Sequence, residues 1–368
     1  MQSFHSSYAD ARAAFLSAAV AARAHISSHV HPLRGLDGEE LAVDVAVVGD
    51  PDASRRLLVS SGCHGVEGYC GSGVQIHALS DPALAQQCRQ ADFTLVYAHA
   101  LNPYGFSHLR RVTHENVDLN RNFQDFARPL PSNEAYSTVH PLLVPDHWPP
   151  DPANQGALAA VIATKGLAFL QAAVSGGQYT EPAGLFFGGH APTWSNLTFR
   201  NVAREHLASA SHIGWIDLHT GLGPQGHGER IGDPETSDHE RASRWWGGQG
   251  KTALTTPGDG SSSSTSVSGT IGHAVREECP HSRISAIALE FGTVPPMEVL
   301  QALRAEMWLE LHPDADAETR TRIKRQFLAA FYIDTPDWKA RVLEQGMEVI
   351  AQAIDGLARE LAVGPRVA

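Results

Sequence analysis

Apolar runs alternate along the chain with segments in which apolar positions recur every three or four residues. The apolar runs predict strands at 41–48, 56–60, 93–99, 184–187, 213–218 and 284–291. The segments between them predict helices at 8–28, 72–90, 153–174, 198–209, 296–310, 318–330 and 337–361. Strands that alternate with helices are typical of sheets covered on both faces. We therefore predict an α/β fold with a mixed, mostly parallel twisted sheet and helices on both faces.

The length of the chain and the absence of visible repeats or linkers in the sequence indicate its domain organisation. At 368 residues and 42% hydrophobic, the chain can form one large domain or two ordinary ones. No repeat or linker is visible, so we predict a single domain over 1–368, with a motif-bearing core at about 40–310 and C-terminal helices at 318–361. The stretches 129–152 and 258–269 are predicted to be irregular. The second contains four consecutive serines and is either a surface loop or a lid over a substrate.

Several polar residues follow the predicted strands at the point where each strand ends. They are His64, Asn102, His219 and Glu290. In open α/β sheets, ligands gather beyond the carboxyl ends of the strands. We therefore expect these four residues to lie on one rim of the sheet.

Charge and cysteine content narrow the range of partners and compartments. A net charge of −12 argues against nucleic acid, although Arg110, Arg111 and Arg121 could hold an anionic substrate group locally. No stretch approaches the ~18 apolar residues of a membrane span, so no membrane contact is expected. Four cysteines without a CxxC pair favour a reducing compartment, and we predict a cytoplasmic protein.

The strongest chemical signal is the pair His64 and Glu67, three residues apart at the end of a predicted strand. An HxxE pair alone arises often by chance. His219 strengthens it, because strand alternation places Asp217 and His219 on the same side. Two imidazoles and a carboxylate suit a catalytic zinc site. In such a site three protein ligands hold the ion and leave one position for water.

Five further histidines leave open whether a second ion binds. They could line the pocket or add a metal, and each alone also fits an ordinary packed side chain: His99, His114, His190, His227 and His273.

Motifs between and after these residues resemble those of a known superfamily. HxxE at His64 is followed by an NPxG segment at 102–105, DLNRNF at 118–123, the distal His219, and Glu290 on a late strand. The chain resembles the zinc carboxypeptidase superfamily over about 40–310, in particular branches close to the aspartoacylase and succinylglutamate desuccinylase deacylases. All five parts occur here in the family's order.

The resemblance implies a role for eight residues. His64, Glu67 and His219 match the zinc ligands. Asp118 matches the carboxylate that orients the first ligand histidine.

The other four match groups that act on the substrate. Arg111 corresponds to the arginine that polarises the scissile carbonyl, with Arg110 as a competing assignment. Asn120 and Arg121 correspond to the pair that holds a substrate carboxylate, and Glu290 corresponds to the general base.

The implied activity is zinc-dependent cleavage of an amide bond in a small peptide or an N-acyl amino acid. We favour metallocarboxypeptidase-type release of a C-terminal amino acid, with an N-acyl amino acid deacylase as the alternative. Peptide-cleaving relatives usually carry a tyrosine before the general base. Here no tyrosine lies between Tyr179 and Tyr332, so that role is vacant or filled by a Ser or Thr of 261–270.

Other protein classes fit the sequence less well. No GxSxG motif supports a serine hydrolase. The His-Glu pairs at His114 and His239 lack the second histidine of a zincin. A catalytically silent relative that binds carboxylate ligands or partner proteins is the remaining rival, but such a protein needs neither Glu290 nor Arg111.

Overall fold

The computed structural model describes residues 2–90, 93–233, 238–248 and 253–360. The strands are β1 His25–Arg34, β2 Glu40–Val48, β3 Arg55–Ser61, β4 Thr94–His99, β5 His212–Thr220, β6 Gly228–Ile231, β7 Leu254–Thr255 and β8 Arg283–Phe291. The helices are α1 Tyr8–Ala21, α2 Gly68–Leu79, α3 Pro82–Gln90, α4 Pro103–Ser107, α5 Glu134–Leu143, α6 Pro152–Lys165, α7 Leu167–Ser175, α8 Trp194–His206, α9 His239–Trp246, α10 Gly272–Glu278, α11 Pro296–Leu311, α12 Ala317–Phe331 and α13 Pro336–Glu360.

The described strands form one eight-stranded sheet in the order β1-β2-β4-β3-β5-β8-β6-β7. The central pairs β4/β3, β3/β5 and β5/β8 are parallel, as is β6/β7 at one edge. The pairs β1/β2, β2/β4 and β8/β6 are antiparallel. The predicted mixed, mostly parallel sheet is confirmed.

Helices cover both faces of the sheet, as predicted. Side chains of a strand alternate between its faces, and β3 shows the consequence. Leu57 and Val59 face a core formed with α1, α2 and α13. Leu58 faces a second core formed with α8 and α10. All seven residues of β3 are buried, and its middle is the apolar run of Leu57, Leu58 and Val59.

Three predicted elements are wrong in part. The helix predicted at 8–28 ends at Ala21, and the polar segment that follows forms the edge strand β1. The strand predicted at 184–187 is a turn that makes only one bridge, Gln178 to Phe187. The stretch 129–152 is not wholly irregular, because Asn133 caps helix α5 by accepting a hydrogen bond from the Tyr136 N–H.

Two predicted helices are each interrupted once. The segment 153–174 divides into α6 and α7 at Gly166, which has a φ of +88°. The segment 72–90 divides into α2 and α3, the second of which begins at Pro82. The last predicted helix is α13, while residue 361 lies outside the described residues.

Within the described ranges, no single helix is long and apolar enough to cross a membrane. The bent pair α6 and α7, with 111° between the two helices, meets the length and composition criteria only when taken together.

Candidate metal centre and substrate cavity

The HxxE segment contains a short 3-10 turn, Gly65–Glu67, which is separated from the end of β3 by residues 62–64. The Gly65 N–H donates a hydrogen bond to the Arg111 carbonyl over 3.0 Å. A Cβ at Gly65 would lie 2.1 Å from the carbonyl carbon of Gly105, so a side chain here would collide with backbone. Glycine therefore lets the HxxE turn rest directly on the NPxG segment.

Three side chains from two strand ends converge on one buried point. His64 Nδ1 lies 2.9 Å from Glu67 Oε1, and His219 Nδ1 lies 3.1 Å from Glu67 Oε2. The two Nδ1 atoms are 3.3 Å apart. Each side chain is at most 5% exposed. The structure thus brings His64, Glu67 and His219 into a group that could hold a metal ion.

In each histidine, Nε2, the ring nitrogen that faces away from the other candidate ligands, contacts a carboxylate. His219 Nε2 lies 2.7 Å from Asp217 Oδ2, and His64 Nε2 lies 3.2 Å from Asp118 Oδ1. Such contacts turn the other ring nitrogen toward a ligand and make it more basic. Asp118 therefore contacts His64, and the orienting role that the family resemblance implies for it stays a prediction.

Asp217 is an orienting residue that the sequence reasoning did not assign. It is buried and accepts a hydrogen bond from Ser60 Oγ over 2.6 Å. Trp215 Nε1 donates to the same hydroxyl over 2.8 Å. The sequence held a signal for it, because alternation along one strand places Trp215, Asp217 and His219 on the same face.

The donor set fits a divalent metal ion. When His219 Nε2–H donates to Asp217, the lone pair of Nδ1 points at an oxygen of Glu67, so a cation or a proton is needed between them. Burial alone would lower the pKa of His219, but Asp217 and then Glu67 outweigh it and raise that pKa well above its usual value. Two imidazole nitrogens and one carboxylate match the ligands of catalytic zinc sites.

A second group of donors, Cys63 with Asp217 and His219, also lies close enough to hold an ion. It competes with the first for His219. Burial, followed by the charge of Asp217, raises the pKa of the Cys63 thiol well above its usual value. Because the thiolate is the metal-binding form, the group of His64, Glu67 and His219 is the better site.

Arg111 reaches this centre, whereas Arg110 does not. The Arg111 guanidinium donates to Glu67 Oε1 over 2.8 Å and to Asp118 Oδ2 over 3.1 Å, and its Nη2 lies 2.8 Å from His64 Nε2. Arg110 points the other way and pairs with Glu306 of α11 over 2.8 Å. The structure therefore favours Arg111 over the competing assignment.

Arg121 is a buried cation with a partly free guanidinium. Its Nε and Nη2 donate to the Ser175 carbonyl over 3.1 and 2.6 Å, and Nη1 donates to the Asn120 carbonyl over 2.8 Å. A guanidinium has five N–H groups, so one remains on each terminal nitrogen. Among the described residues, no carboxylate lies within ion-pair distance of Arg121. Burial is the main cause that lowers its pKa.

Asn120 lies beside Arg121 in the same 3-10 turn, Leu119–Arg121. Its Oδ1 accepts a hydrogen bond from the Ile271 N–H over 2.9 Å. This bond uses the amide oxygen of Asn120, so the Nδ2 group is the part left for a ligand.

Glu290 is the neighbour of His219 across two parallel strands. The register of β5 and β8 pairs the two residues directly. Glu290 Oε1 accepts a hydrogen bond from the Leu222 N–H over 3.0 Å. Burial, followed by the charge of Glu67, raises the pKa of Glu290 to about 7. A carboxyl group with a pKa near neutrality is suited to accept and return a proton.

All of the predicted catalytic and substrate-binding residues open onto one cavity of about 360 Å³. The lining includes Glu290, Arg111, Asn120 and Arg121 together with the three candidate ligands. The lining also includes apolar side chains of α7 and α11 and residues 264–267 of the serine-containing segment.

No tyrosine belongs to the lining within the described residues. From the stretch 261–270, hydroxyl groups come from Ser264, Thr265, Ser266 and Thr270. Of the five additional histidines, His273 is among the lining residues.

Similar solved structures indicate the fold. The chain is 13% identical to carboxypeptidase A from Helicoverpa armigera, with a TM-score of 0.51, over 97% of this chain and 74% of the other. It is 9% identical to bovine thrombin-activatable fibrinolysis inhibitor, solved with a tick carboxypeptidase inhibitor, with a TM-score of 0.52, over 97% and 98%. These likenesses confirm, at the level of the fold, the resemblance to the zinc carboxypeptidase superfamily.

An aspartoacylase family protein from Mesorhizobium loti also matches, at 13% identity and a TM-score of 0.37, over 78% of this chain and 66% of the other. A comparison with curated proteins found no match. Residues 4–345 match the model of a family described as "Protein of unknown function (DUF2817)", and the chain belongs to that family.

Proposed function

We propose that this protein is a metal-dependent hydrolase that cleaves an amide bond near a free carboxylate, as in the release of a C-terminal amino acid from a peptide. One observation carries the proposal. The His64, Glu67 and His219 group, the raised-pKa carboxyl of Glu290 and the cation of Arg121 all open onto the same cavity.

The three ligands would hold one zinc ion. When bound, a divalent metal ion polarises the scissile carbonyl and lowers the pKa of a water molecule. Asp118 and Asp217 orient His64 and His219 for this task through the hydrogen bonds described above.

Glu290 would act as the general base. It accepts a proton from the attacking water and then gives that proton to the leaving nitrogen. The Leu222 N–H fixes one oxygen of the carboxylate, which leaves the other oxygen to carry the proton.

Arg121 and Asn120 would bind the substrate carboxylate. The two remaining N–H groups of Arg121, one on each terminal nitrogen, can meet the two carboxylate oxygens in a bidentate pair. Arg111 lies close to the ligands, where a guanidinium can stabilise negative charge that develops on the carbonyl oxygen. An N-acyl amino acid offers the same carboxylate, so a deacylase would use the same residues.

The test is hydrolysis of a panel of N-acyl amino acids, blocked dipeptides with a free carboxylate, and the same dipeptides as carboxamides. We expect cleavage that stops after chelation and returns with zinc, and about one zinc ion per chain. The preferred panel member decides between peptidase and deacylase. Bound metal without cleavage of any member would favour the silent, carboxylate-binding relative.

Arg121→Ala provides a second test on the same panel. It should weaken the binding of carboxylate substrates roughly 100-fold, because two charge-assisted hydrogen bonds are lost, and should affect carboxamides much less. Arg128→Ala is the control, since that side chain is 81% exposed. An equal loss for carboxylates and carboxamides would remove the role assigned to Arg121.

A further inference from the structure

Phe186 has an unusual backbone conformation for an aromatic residue. Its φ is +53°, in the left-handed region, which is costly for a bulky side chain and persists only where the surroundings enforce it. Such residues cluster at functional sites. Phe186 is half-buried and lines the cavity of the candidate metal centre.

The turn that carries Phe186 is tied to the segment that carries the site residues. Asn116 Nδ2 donates to the Pro182 carbonyl over 2.7 Å. The Asp118 N–H donates to the Phe187 carbonyl over 2.7 Å. Asn122 Nδ2 donates to the Gly188 carbonyl over 2.8 Å. These bonds on both sides of Phe186 hold its backbone in register with Asp118.

The ring of Phe186 contacts both arginines of the site. The Arg111 Cζ lies 5.1 Å from the ring centroid, and the Arg121 Cζ lies 5.7 Å from it. Both distances fall within the range of cation–π attraction, which strengthens where water is excluded. The two guanidinium groups repel each other, and the charge of Arg111 contributes to the lowered pKa of Arg121.

We infer that Phe186 is a positioning residue that holds the guanidinium groups of Arg111 and Arg121 in place for the substrate. The ring attracts both cations and offsets part of their repulsion before the substrate carboxylate binds. This inference rests on the proposed function for the identity of that substrate. The left-handed turn thus places an aromatic ring beside both cations, in addition to the hydrogen bonds that Arg111 makes with Glu67 and Asp118 and that Arg121 makes with backbone carbonyls.

The test compares three variants of the full-length, zinc-loaded protein. Phe186→Leu keeps apolar bulk but removes the aromatic face, and Phe186→Tyr restores that face. Phe187→Leu is the matched control, because the neighbouring ring packs edge-on against His190 instead. The probes are N-benzoylglycylphenylalanine and its carboxamide.

For Phe186→Leu we expect the KM of the carboxylate probe to rise on the order of tenfold relative to that of the carboxamide. Phe186→Tyr should restore most of the difference, and Phe187→Leu should not produce it. A second readout is the rate at which each arginine Nε–H proton exchanges with solvent, followed by NMR and assigned with Arg111→Lys and Arg121→Lys. Exchange should accelerate in Phe186→Leu, where the guanidinium groups are less restrained, and should not change in Phe187→Leu.

Equal KM changes for both probes, or unchanged arginine proton exchange in Phe186→Leu, would overturn the inference. If the wild-type protein cleaves neither probe, the proposed peptidase function fails. The exchange rates of the arginine protons then still decide whether Phe186 positions the two guanidinium groups.

Discussion

At the level of single residues, each histidine of the proposed centre has one nitrogen facing its partners and the other bonded to a carboxylate. Asp118 serves His64 and Asp217 serves His219. The Asp217 contact is the shorter, and Asp217 is itself fixed by Ser60. We therefore expect metal affinity to depend strongly on Asp217.

Asp217→Asn should lower zinc affinity about 10- to 100-fold, because an amide supports the imidazole less well than a carboxylate. The measurement is a competition titration against a chromogenic chelator. Asp44→Asn is the control, since Asp44 is also fully buried and charge-paired but binds Arg12 over 2.7 Å. The control should lose stability and keep its zinc affinity. A normal affinity in Asp217→Asn would show that the contact is structural only.

The sequence could predict which residue types form this site better than it could predict where their side chains point. The choice between Arg110 and Arg111 had to stay open, because adjacent loop residues have no fixed orientation in a sequence pattern. The structure separates them through Glu306, a partner from α11 that is distant in sequence. Asp217 was visible beside His219, but its contact with Nε2 depends on a ring orientation that no spacing specifies.

At the level of elements, the serine-containing segment is anchored. Its Ser263 N–H and hydroxyl bind Glu229 of β6, which is buried and also accepts a hydrogen bond from Thr255 Oγ1 over 2.6 Å. The Ser263 carbonyl accepts a hydrogen bond from Gln171 of α7 over 2.8 Å. The segment is thus bonded both to strand β6 and to helix α7.

Glu229→Ala should release this segment, because it removes the acceptor that several donors share. Amide hydrogen exchange over residues 257–269 should accelerate on the order of tenfold or more, and the KM of the best substrate should rise. Glu240→Ala is the control, because Glu240 is exposed on α9. Unchanged exchange in Glu229→Ala would mean that Glu229 does not hold the segment closed.

The central strands were predictable because they are buried on both faces and therefore read as apolar runs. The edge strand β1 was not, because its burial pattern is mostly exposed and polar. A strand as short as β7, with two residues, cannot show the alternation of apolar and polar positions from which a strand is predicted. The segment at 184–187 looked like a strand from its apolar content, but Phe186 has left-handed backbone that no strand accommodates.

At the level of the whole molecule, the sheet separates two cores, and the larger contains a buried histidine. His99 is fully buried, stacks on Phe15 at 4.4 Å and lies 2.8 Å from the Ser72 hydroxyl through Nε2. Burial lowers the pKa of His99 to about 4. His99 is therefore neutral in the folded protein at neutral pH.

This histidine should make folding stability sensitive to acid. The unfolded chain binds the proton with a pKa of roughly 6.5, so it holds more protons than the folded protein between that value and about 4. Stability is therefore present above this window and is lost as the pH falls through it, by about 2 to 3 kcal/mol between pH 7 and pH 4.5.

The measurement is the free energy of unfolding by urea at pH 7 and at pH 4.5, for the wild-type protein and for His99→Gln. The variant should lose about 2 to 3 kcal/mol less on acidification. Part of the dependence should remain, because burial also lowers the pKa of His31 to about 4. Identical pH dependence in both proteins would contradict the assignment to His99.

The sheet, its two cores and the cavity together support a single chemical claim, which is metal-dependent hydrolysis with Glu290 as the base. The most direct measurement is turnover and zinc content of wild-type protein and Glu290→Gln on the same preparations. We predict about one zinc ion per chain in both and a fall in kcat of about 10²- to 10⁴-fold in the variant. Wild-type turnover in Glu290→Gln, or wild-type activity that survives complete removal of zinc, would contradict the account.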